Sequence, residues 1–472
     1  MPVFVFALHR ETLKEVAKPS FMSTTNKKYP PSITFRLLLA SMKNIFSMLS
    51  HAPEKYPEIL MTGIPGIRRV YVVNHPDIAQ HVLQKSYKTY PKAQGYEVLA
   101  LLLGKGLVTN EGDNWHKQRT LIQPAFHRET LRRISDITVS STNHLLKRWK
   151  EQEGQTINFT REMAEVTIDI VAKSLFTTDV NAGHIQTIWR NVNYLNEGAD
   201  AMLRNPLHLP WFLPLPSYRK MRRYIAELDD IVYGIINKRK TEKNPPPDLL
   251  QLLLDARYEE TGTGMTDLQI RDEVMTIFMA GHETTVNALS WTWYLVKQHK
   301  AEEAKLKDES IKVAGERNPV FEDVPGLVYG KNVMNESMRL YPPVPVVGRN
   351  AKQDDDLGSY FVKAGTEVAI SITGLHHHPA YWPQPFEFHP ERFDHFDLKG
   401  DNRFLFMPFG GGPRICIGNN FAMLEMQLIN SMLSARVDME LVSTDVKPNA
   451  LITLKPENGV EMKLKSVKLR NE

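Results

Sequence analysis

The chain is poor in cysteine, with a single one among its 472 residues. One thiol excludes any intrachain disulfide framework, and with it a small secreted protein held together by disulfides. It also excludes zinc and iron–sulfur sites that are built from several cysteines. The lone thiol is therefore a buried apolar filler, an incidental group, or a reactive or metal-binding group.

Long apolar runs are also missing. The first such run, Val3 to Leu8, is far shorter than the roughly 18–20 residues that a membrane-spanning helix needs. Charged residues follow it without a small-residue cleavage site, so we predict neither a signal peptide nor a transmembrane anchor. The stretch Ile33–Leu49 has apolar residues at helical spacing, which predicts an amphipathic helix docked on the protein or lightly on a membrane. We therefore expect a cytoplasmic protein that can lie at a membrane surface.

No sign of charge dominates the chain, which has 58 basic and 54 acidic side chains and a net charge of +4. Residues 1–50 contain seven basic and two acidic side chains, a local charge of +5, so the remainder carries −1. This balance excludes a protein that coats nucleic acid. We predict a basic leader with an amphipathic helix over residues 1–50, followed by one domain over residues 51–472.

Helical patterns prevail along the chain, with a smaller β part. Thr266 and Gln269 have the spacing of a capping box, which predicts the start of a long helix reaching about Lys300. Because this segment is apolar on nearly all sides, we place it at the centre of the core. Residues 86–112 are rich in glycine and are predicted to be loop. Four prolines interrupt Asn205–Ser217, which predicts a flexible lid.

The single cysteine, Cys416, lies in the segment Phe409–Gly418, which reads FGGGPRICIG and precedes a helical pattern. A helix N-terminus favours a thiolate through its dipole and its free N–H groups, and Arg414 adds positive charge nearby. From these residues alone two interpretations stay open: a functional thiolate, or a buried thiol beneath a glycine-rich turn.

The same segment resembles the haem-binding signature of the cytochrome P-450 family, at Phe409, Gly412, Arg414, Cys416 and Gly418. The resemblance implies that Cys416 is the thiolate ligand of haem b iron, which favours O–O cleavage. It implies that Phe409 packs near the sulfur, that Arg414 binds a haem propionate and that Gly418 belongs to the cofactor site. The implied fold is a mainly α single domain with small sheets, with haem between the long central helix and the Cys416 loop.

A second motif, Ala280–Thr285, lies midway along the long helix and reads AGHETT. An acid inside a core helix is costly unless it is paired or used, so a buried polar cluster satisfied by its neighbours is the alternative interpretation. The motif resembles the family's oxygen-binding helix. The resemblance implies that Glu283 and Thr284 are catalytic and supply protons, and that Ala280 and Gly281 lie at the cofactor.

Glu336 and Arg339 share one face of a predicted helix, and Arg392 lies in a Pro-Glu-Arg-Phe segment. Alone, such a pair predicts only an exposed ion pair of little energetic weight. It resembles the family's Glu-x-x-Arg helix and its partner motif. The resemblance implies that the three residues form a buried, salt-bridged triad with a structural role.

Trp115 and Arg119 are four residues apart, which predicts a shared helix face and, by itself, a surface cation–π pair. In the family such a pair meets a haem propionate, and Arg349 is a further propionate partner unless it is a solvated loop arginine. The run His376–His378 lacks the pattern of a metal site, so we expect exposed loop histidines.

The resemblance covers roughly residues 50–465 and implies a monooxygenase that inserts one oxygen atom of O2, the cosubstrate, by hydroxylation or epoxidation. It implies a lipophilic substrate and separate electron donors of the ferredoxin or flavodoxin/reductase type, with a monomer favoured. Two alternatives are a peroxide-driven peroxygenase or isomerase on the same scaffold, and a non-catalytic haem sensor. The Glu283-Thr284 pair argues against both. Three segments and one helix face, all largely apolar, are expected to line the substrate site: Tyr96–Leu103, Val344–Val347, Leu451–Leu454 and the face of Ile277, Phe278 and Ala280.

Overall fold

The computed structural model describes residues 27–33, 44–64, 68–177, 182–204, 209–315, 317–398, 400–450 and 452–469. The α-helices, in chain order, are α1 (Ile45–Lys55), α2 (Pro76–Gln80), α3 (Gly95–Leu103), α4 (Gly112–Ile122), α5 (Arg128–Glu151), α6 (Phe159–Phe176), α7 (Ala182–Arg204), α8 (Pro216–Thr241), α9 (Leu249–Asp255), α10 (Asp267–Gln298), α11 (Lys300–Ala314), α12 (Val328–Leu340), α13 (Ile372–His376) and α14 (Asn419–Arg436). The strands are β1 (Ile59–Ile64), β2 (Arg68–Val73), β3 (Thr156–Asn158), β4 (Val346–Asn350), β5 (Asp355–Leu357), β6 (Tyr360–Val362), β7 (Glu367–Ser371), β8 (Val437–Leu441), β9 (Pro448–Ala450), β10 (Leu454–Pro456) and β11 (Glu461–Val467). The prediction of a mainly α protein with small sheets is confirmed.

The chain divides into two compact units, of which the first comprises Met1–Ala93, Val344–Glu387 and Asp397–Ile415. Its sheet has the strand order β1-β2-β7-β4, with β2 and β7 parallel and the other pairs antiparallel. Strands β1 and β2 pair antiparallel, and the residues that connect them, 65–67, lie outside the described residues. Apolar side chains of the sheet pack into the core of this unit, where Val73 and Ile370 are fully buried.

The second unit comprises Gln94–Pro343, Phe388–Phe396 and Cys416–Glu472, and α10 forms its centre. This helix begins where the capping box predicts: the Gln269 amide donates to the Thr266 hydroxyl, and the Thr266 amide donates to the Gln269 side chain. It packs against α6, α12 and α8, and most of its residues are buried. The sheet β3-β11-β8 and the pair β9–β10 complete the unit.

The prediction of a loop over residues 86–112 is wrong in its middle part, where α3 forms. The run between Gly95 and Gly104 is apolar and has Glu97 in its first turn, where an acid favours the helix dipole. Gly104 has φ +64°, a left-handed conformation in which glycine commonly ends a helix. The glycines that suggested a loop therefore mark the two ends of a helix.

The prediction of exposed histidines at His376–His378 is also wrong, because all three side chains are buried. The His377 ring is hydrogen-bonded to the Thr373 carbonyl, one helical turn earlier. The His378 ring is hydrogen-bonded to the Pro57 carbonyl and accepts from the Ala380 amide. These bonds satisfy polar rings inside the core, which a sequence pattern does not reveal.

Several predictions fall partly on segments outside the described residues. These include most of the leader, the greater part of the amphipathic helix over 33–49, and residues 205–208 of the predicted lid. Within the described part of the chain, no helix has the length and apolar character needed to cross a membrane.

Candidate functional site

Cys416 lies three residues before the first residue of α14, as the sequence predicts. The backbone N–H of Gly418 donates a hydrogen bond to its sulfur. Burial raises the pKa of the Cys416 thiol, whereas this hydrogen bond and the positive charge of Arg119 lower it. The side chain of Cys416 nevertheless has exposed surface, so its sulfur is open to a ligand.

Arg119 lies half-buried on α4, and its guanidinium carbon is 5.8 Å from the centre of the Trp115 ring. Trp115 itself is buried, with 3% of its surface exposed, so this is not the surface pair that the spacing alone suggested. Burial lowers the pKa of Arg119, and the charge of Cys416 opposes this. Among the described residues Arg119 has no hydrogen-bond or ion-pair partner. A half-buried guanidinium of this kind is suited to an anionic group such as a carboxylate.

The middle of α10 has one open face on an otherwise buried helix. Ala280 is exposed, and Ile277, Gly281 and Thr284 are partly exposed. These four residues follow the i, i+3, i+4, i+7 spacing of one helix face. At the centre of this open face lie Ala280 and Gly281, which have almost no side chain, so a flat apolar group has room to lie against the helix.

Glu283 lies beside this face and is bound by two other elements of the second unit. Its Oε2 accepts a hydrogen bond from Asn196 of α7 at 2.7 Å, and its Oε1 accepts one from the Thr453 hydroxyl at 2.9 Å. Burial raises the pKa of Glu283; Lys455 and the Thr453 bond lower it, and Asp200 and Glu197 raise it further. The carboxyl group is therefore biased towards holding a proton.

Two threonine hydroxyls of the motif bond back to their own helix. Thr284 Oγ1 donates to the Ala280 carbonyl at 2.8 Å, and Thr285 Oγ1 donates to the Gly281 carbonyl at 3.0 Å. Thr284 lies on the open face and Thr285 is buried. The Thr284 oxygen keeps lone pairs that can accept a proton or a hydrogen bond from a group on that face.

The structure brings Glu336, Arg339 and Arg392 together. Glu336 accepts from Arg339 Nε at 2.7 Å and Nη2 at 2.8 Å, and from Arg392 Nε at 3.1 Å. The His389 amide adds a fourth bond at 3.0 Å. Glu336 and Arg339 are completely buried. None of these bonds involves a residue with a proposed catalytic role.

The first unit contains Phe409, Arg414 and Arg349, which the sequence assigns to the cofactor site. Arg349 is buried in β4 and donates from Nη1 to the Gly348 carbonyl, so it is not a solvated loop arginine. Gly412 has φ +68°, and a Cβ there would collide with the Leu83 carbonyl, which explains a glycine at this point of the signature.

From the sequence we did not predict that His376 contacts Phe406 and Met407, which precede the segment Phe409–Gly418. Its Nε2 accepts from the Met407 amide at 2.9 Å, and its ring stacks on Phe406 at 5.0 Å. The same reasoning gave no partner for Gln118, which lies between Trp115 and Arg119 and is 2% exposed. An uncharged polar residue at a buried helix position is the only signal that the sequence carries for it.

An open cleft of about 870 Å³ lies between α4 and the N-terminal part of α10. Gln118 and Asp272 are among its lining residues, whereas Cys416 and Glu283 are not. This cleft is therefore separate from the thiol and from the open face of α10.

A haem-thiolate group fits the donor chemistry of these residues. The Gly418 N–H and the Arg119 guanidinium both favour the thiolate that iron requires, and they oppose the burial that raises the pKa of Cys416. Arg119, which has no hydrogen-bond or ion-pair partner among the described residues, offers a cation to a propionate, and the accessible Ala280 and Gly281 leave room beside α10.

A sequence model of the cytochrome P-450 family matches residues 28–464. Cyclooctatin synthase of Streptomyces melanosporofaciens is 32% identical over 391 residues, covering 82% of this chain and 85% of that protein. The 11-oxo-beta-amyrin 30-oxidase of Glycyrrhiza uralensis is 30% identical over 434 residues, covering 88% and 82%. The chloroplastic protein LUTEIN DEFICIENT 5 of Arabidopsis thaliana is 30% identical over 430 residues, covering 84% and 70%. The chain belongs to the cytochrome P-450 family and is a cytochrome P-450 monooxygenase.

Proposed function

We propose that the chain inserts one oxygen atom of O2 into a lipophilic substrate, with Cys416 as the thiolate ligand of haem b. The observation that supports this most directly is the Cys416 sulfur, which is accessible, receives the Gly418 N–H and lies near the charge of Arg119. When bound, the haem activates O2 for insertion into a C–H bond or a double bond. The protein residues bind, orient and supply protons.

The binding residues divide by their chemistry. Arg119, steadied by the Trp115 ring, holds a propionate, and Arg414 and Arg349 are proposed as further propionate partners from the family resemblance. Ala280 and Gly281 present little bulk to a flat ring system. Phe409 and Gly418 shape the surroundings of the sulfur. Glu336, Arg339 and Arg392 stabilise the fold.

Proton supply is assigned to Thr284 and Glu283. The Thr284 hydroxyl lies on the open face of α10. Its proton turns from the Ala280 carbonyl to a group on that face, and its oxygen takes up another proton as it gives up its own. Glu283 has a raised pKa because of its burial, so it holds a proton that it can release. Its Thr453 and Asn196 contacts keep the carboxyl group in one orientation.

The substrate is proposed to be lipophilic because helix α3, which contacts α10 within the second unit, is largely apolar. The name of one relative, the 11-oxo-beta-amyrin 30-oxidase, refers to 11-oxo-beta-amyrin, which is a suitable first ligand to test. Electrons are proposed to come from a ferredoxin or a flavodoxin/reductase donor, and the working form is proposed to be a cytoplasmic monomer that can touch a membrane surface.

The haem assignment is tested by the spectrum of the reduced protein under CO. We expect the red-shifted Soret band of a thiolate-ligated haem in the wild type and its loss in Cys416→Ser. A colourless wild-type preparation after growth with a haem precursor would contradict the proposal. Lipophilic ligands are then screened for the spectral shift that follows displacement of water.

The reaction type is tested by turnover of a ligand found in that screen. We expect product with NAD(P)H and a ferredoxin or flavodoxin donor, and little product with hydrogen peroxide alone. Product with peroxide alone would instead identify a peroxygenase. Binding without any turnover would identify a haem sensor.

A further inference from the structure

Three consecutive charged residues lie on the buried part of α10, two turns before its open face. Arg271, Asp272 and Glu273 are only 6%, 4% and 1% exposed. Burying charges is costly unless each one is paired and hydrogen-bonded. Arg271 meets this condition through Asp229 of α8 at 2.6 Å and through Asp272 at 3.0 Å.

The two carboxylates hold the backbone that joins α3 to α4. The Lys105 amide donates to Asp272 Oδ2 at 2.8 Å, and the Leu107 amide donates to Glu273 Oε2 at 3.2 Å. At Gly104 a Cβ would collide with the Asp272 carboxyl group, so the chain passes directly over this side chain. The connection between α3 and α4 is therefore fastened to α10 by ionic hydrogen bonds.

Gln118 extends this fastening to α4 itself. Its Nε2 donates to Glu273 Oε1 and to the Lys105 carbonyl, and its Oε1 accepts from Asn110 at 2.6 Å. Every polar atom of this buried amide is used. Glu273 therefore contacts both α4 and the segment that precedes it.

Helix α4 has few other buried anchors. It is 11 residues long, and besides Gln118 only Trp115 and Ile122 are buried among its residues. Arg119 follows Gln118 directly, about 100° further around the helix. A guanidinium group lies roughly 6–7 Å from a helix axis, so a roll of about 10° moves it by about 1 Å. The amide of Gln118 is thus well placed to set where Arg119 points.

We propose that Glu273 and Gln118 are positioning residues of the cofactor site: their buried carboxylate–amide bond sets the roll of α4 and with it the place of Arg119 beside Cys416. The inference rests on the proposed role of Arg119 as a propionate partner. Neither residue touches the cofactor or the reacting atoms; both act through α4.

The test compares two single variants with the double variant in which the side chains at 273 and 118 are exchanged. Glu273→Gln replaces the carboxylate by an amide, which sets an NH2 group against the N–H donors of Leu107 and Gln118. Gln118→Glu sets two carboxylates against each other. In the double variant Glu273→Gln/Gln118→Glu the amide at 273 can accept from the Leu107 amide and donate to the carboxylate at 118, so the pair re-forms in reverse. Glu260→Gln, which removes an exposed partner of Lys117 on the same helix, is the matched control.

The first readout is the rate at which haem leaves each holoprotein for an excess of apomyoglobin. We expect each single variant to lose haem about tenfold faster, the effect of one lost buried hydrogen bond to a charge, and Glu260→Gln to be unchanged. The double variant should lose haem more slowly than either single variant but faster than the wild type, because the carboxylate at 118 cannot donate to the Lys105 carbonyl. In an Arg119→Leu background Glu273→Gln should add little, because the residue acts through Arg119. If Glu273→Gln acted instead by lowering the stability of the whole protein, it would accelerate haem loss in the Arg119→Leu background as much as it does in the wild type.

The second readout is amide hydrogen exchange of residues 104–110 in the protein without haem. We expect faster exchange in both single variants and recovery in the double variant. Should Gln118→Glu not fold, Gln118→Met removes the amide at similar length and serves in its place. Wild-type haem retention in all variants, or an exchanged pair that restores neither readout, overturns the inference while leaving the proposed function intact. A wild-type protein that takes up no haem overturns both.

Discussion

The triad around Glu336 allows a quantitative test of what holds the second unit together. Glu336→Gln keeps the shape of the side chain and removes its charge. Four donors at 2.7 to 3.1 Å then face an amide that has one acceptor oxygen. Arg339, which has no exposed surface, loses the carboxylate that accepts from its Nε and Nη2. Removing one partner of a buried ion pair typically costs about 3–5 kcal/mol, so we expect the folded-to-unfolded ratio to fall by roughly two to four powers of ten.

The matched control is Glu322→Gln. Glu322 pairs with Arg132 at 2.6 Å, but both side chains are about half exposed, at 55% and 49%. Water replaces the lost contact at such a site, so we expect a loss below about 1 kcal/mol. Urea unfolding followed by far- and near-ultraviolet circular dichroism measures both variants, and coincident transitions license the conversion to free energy.

A second variant separates the loss of a charge from the loss of packing. Glu336→Leu/Arg339→Met removes both buried charges and keeps similar volume, so we expect it to be less destabilised than Glu336→Gln. Arg392 is left, but 13% of its side chain reaches the surface, where water can solvate it. If Glu336→Gln costs no more than Glu322→Gln, the triad does not stabilise the fold in the way argued from its geometry.

Three further predictions concern groups inside the helices. Glu425 is fully buried on α14, and this burial raises its pKa well above the ordinary value. The folded state therefore keeps a proton that the unfolded state releases above pH 4.5, so the stability relative to Glu425→Gln should fall by about 1.4 kcal/mol per pH unit above that pH. Urea unfolding midpoints measured across pH test this. A flat difference between the two proteins would refute this. Burial lowers the pKa of His282 to about 4 from 6.5, so the unfolded state binds the extra proton, and about 3 kcal/mol of stability should disappear as pH falls through this window. His282→Asn should lack that loss, and the same urea series at pH 4 to 7 shows whether it does. Thr284→Val should lower product formation on the order of 10²-fold while leaving the CO spectrum unchanged, with Thr284→Ser close to the wild type; equal activity of all three proteins would remove Thr284 from proton supply.

Prediction from sequence succeeded where the determinant is local. The capping box at Thr266 predicted the start of α10, because the two bonds that form it join residues three apart. The glycines that border α3 wrongly predicted a loop. The prediction also failed at His376–His378, where the His378 ring bonds to Pro57, 321 residues away along the chain. A hydrogen-bond partner hundreds of residues away leaves no mark in a local pattern.

The amino-acid sequence by itself determined the family, and it singled out the cysteine proposed as the haem ligand and the acid–alcohol pair proposed to supply protons, because spacing along the chain specifies these motifs. Only the tertiary structure decided which groups surround them. Asn196 and Thr453, 87 and 170 residues from Glu283 along the chain, orient its carboxyl group. Glu273 meets Gln118 across 155 residues. Burial biases Glu283 towards its protonated form, and the packing of distant segments orients both Glu283 and Gln118. Such burial and packing arise only when segments far apart along the chain come together.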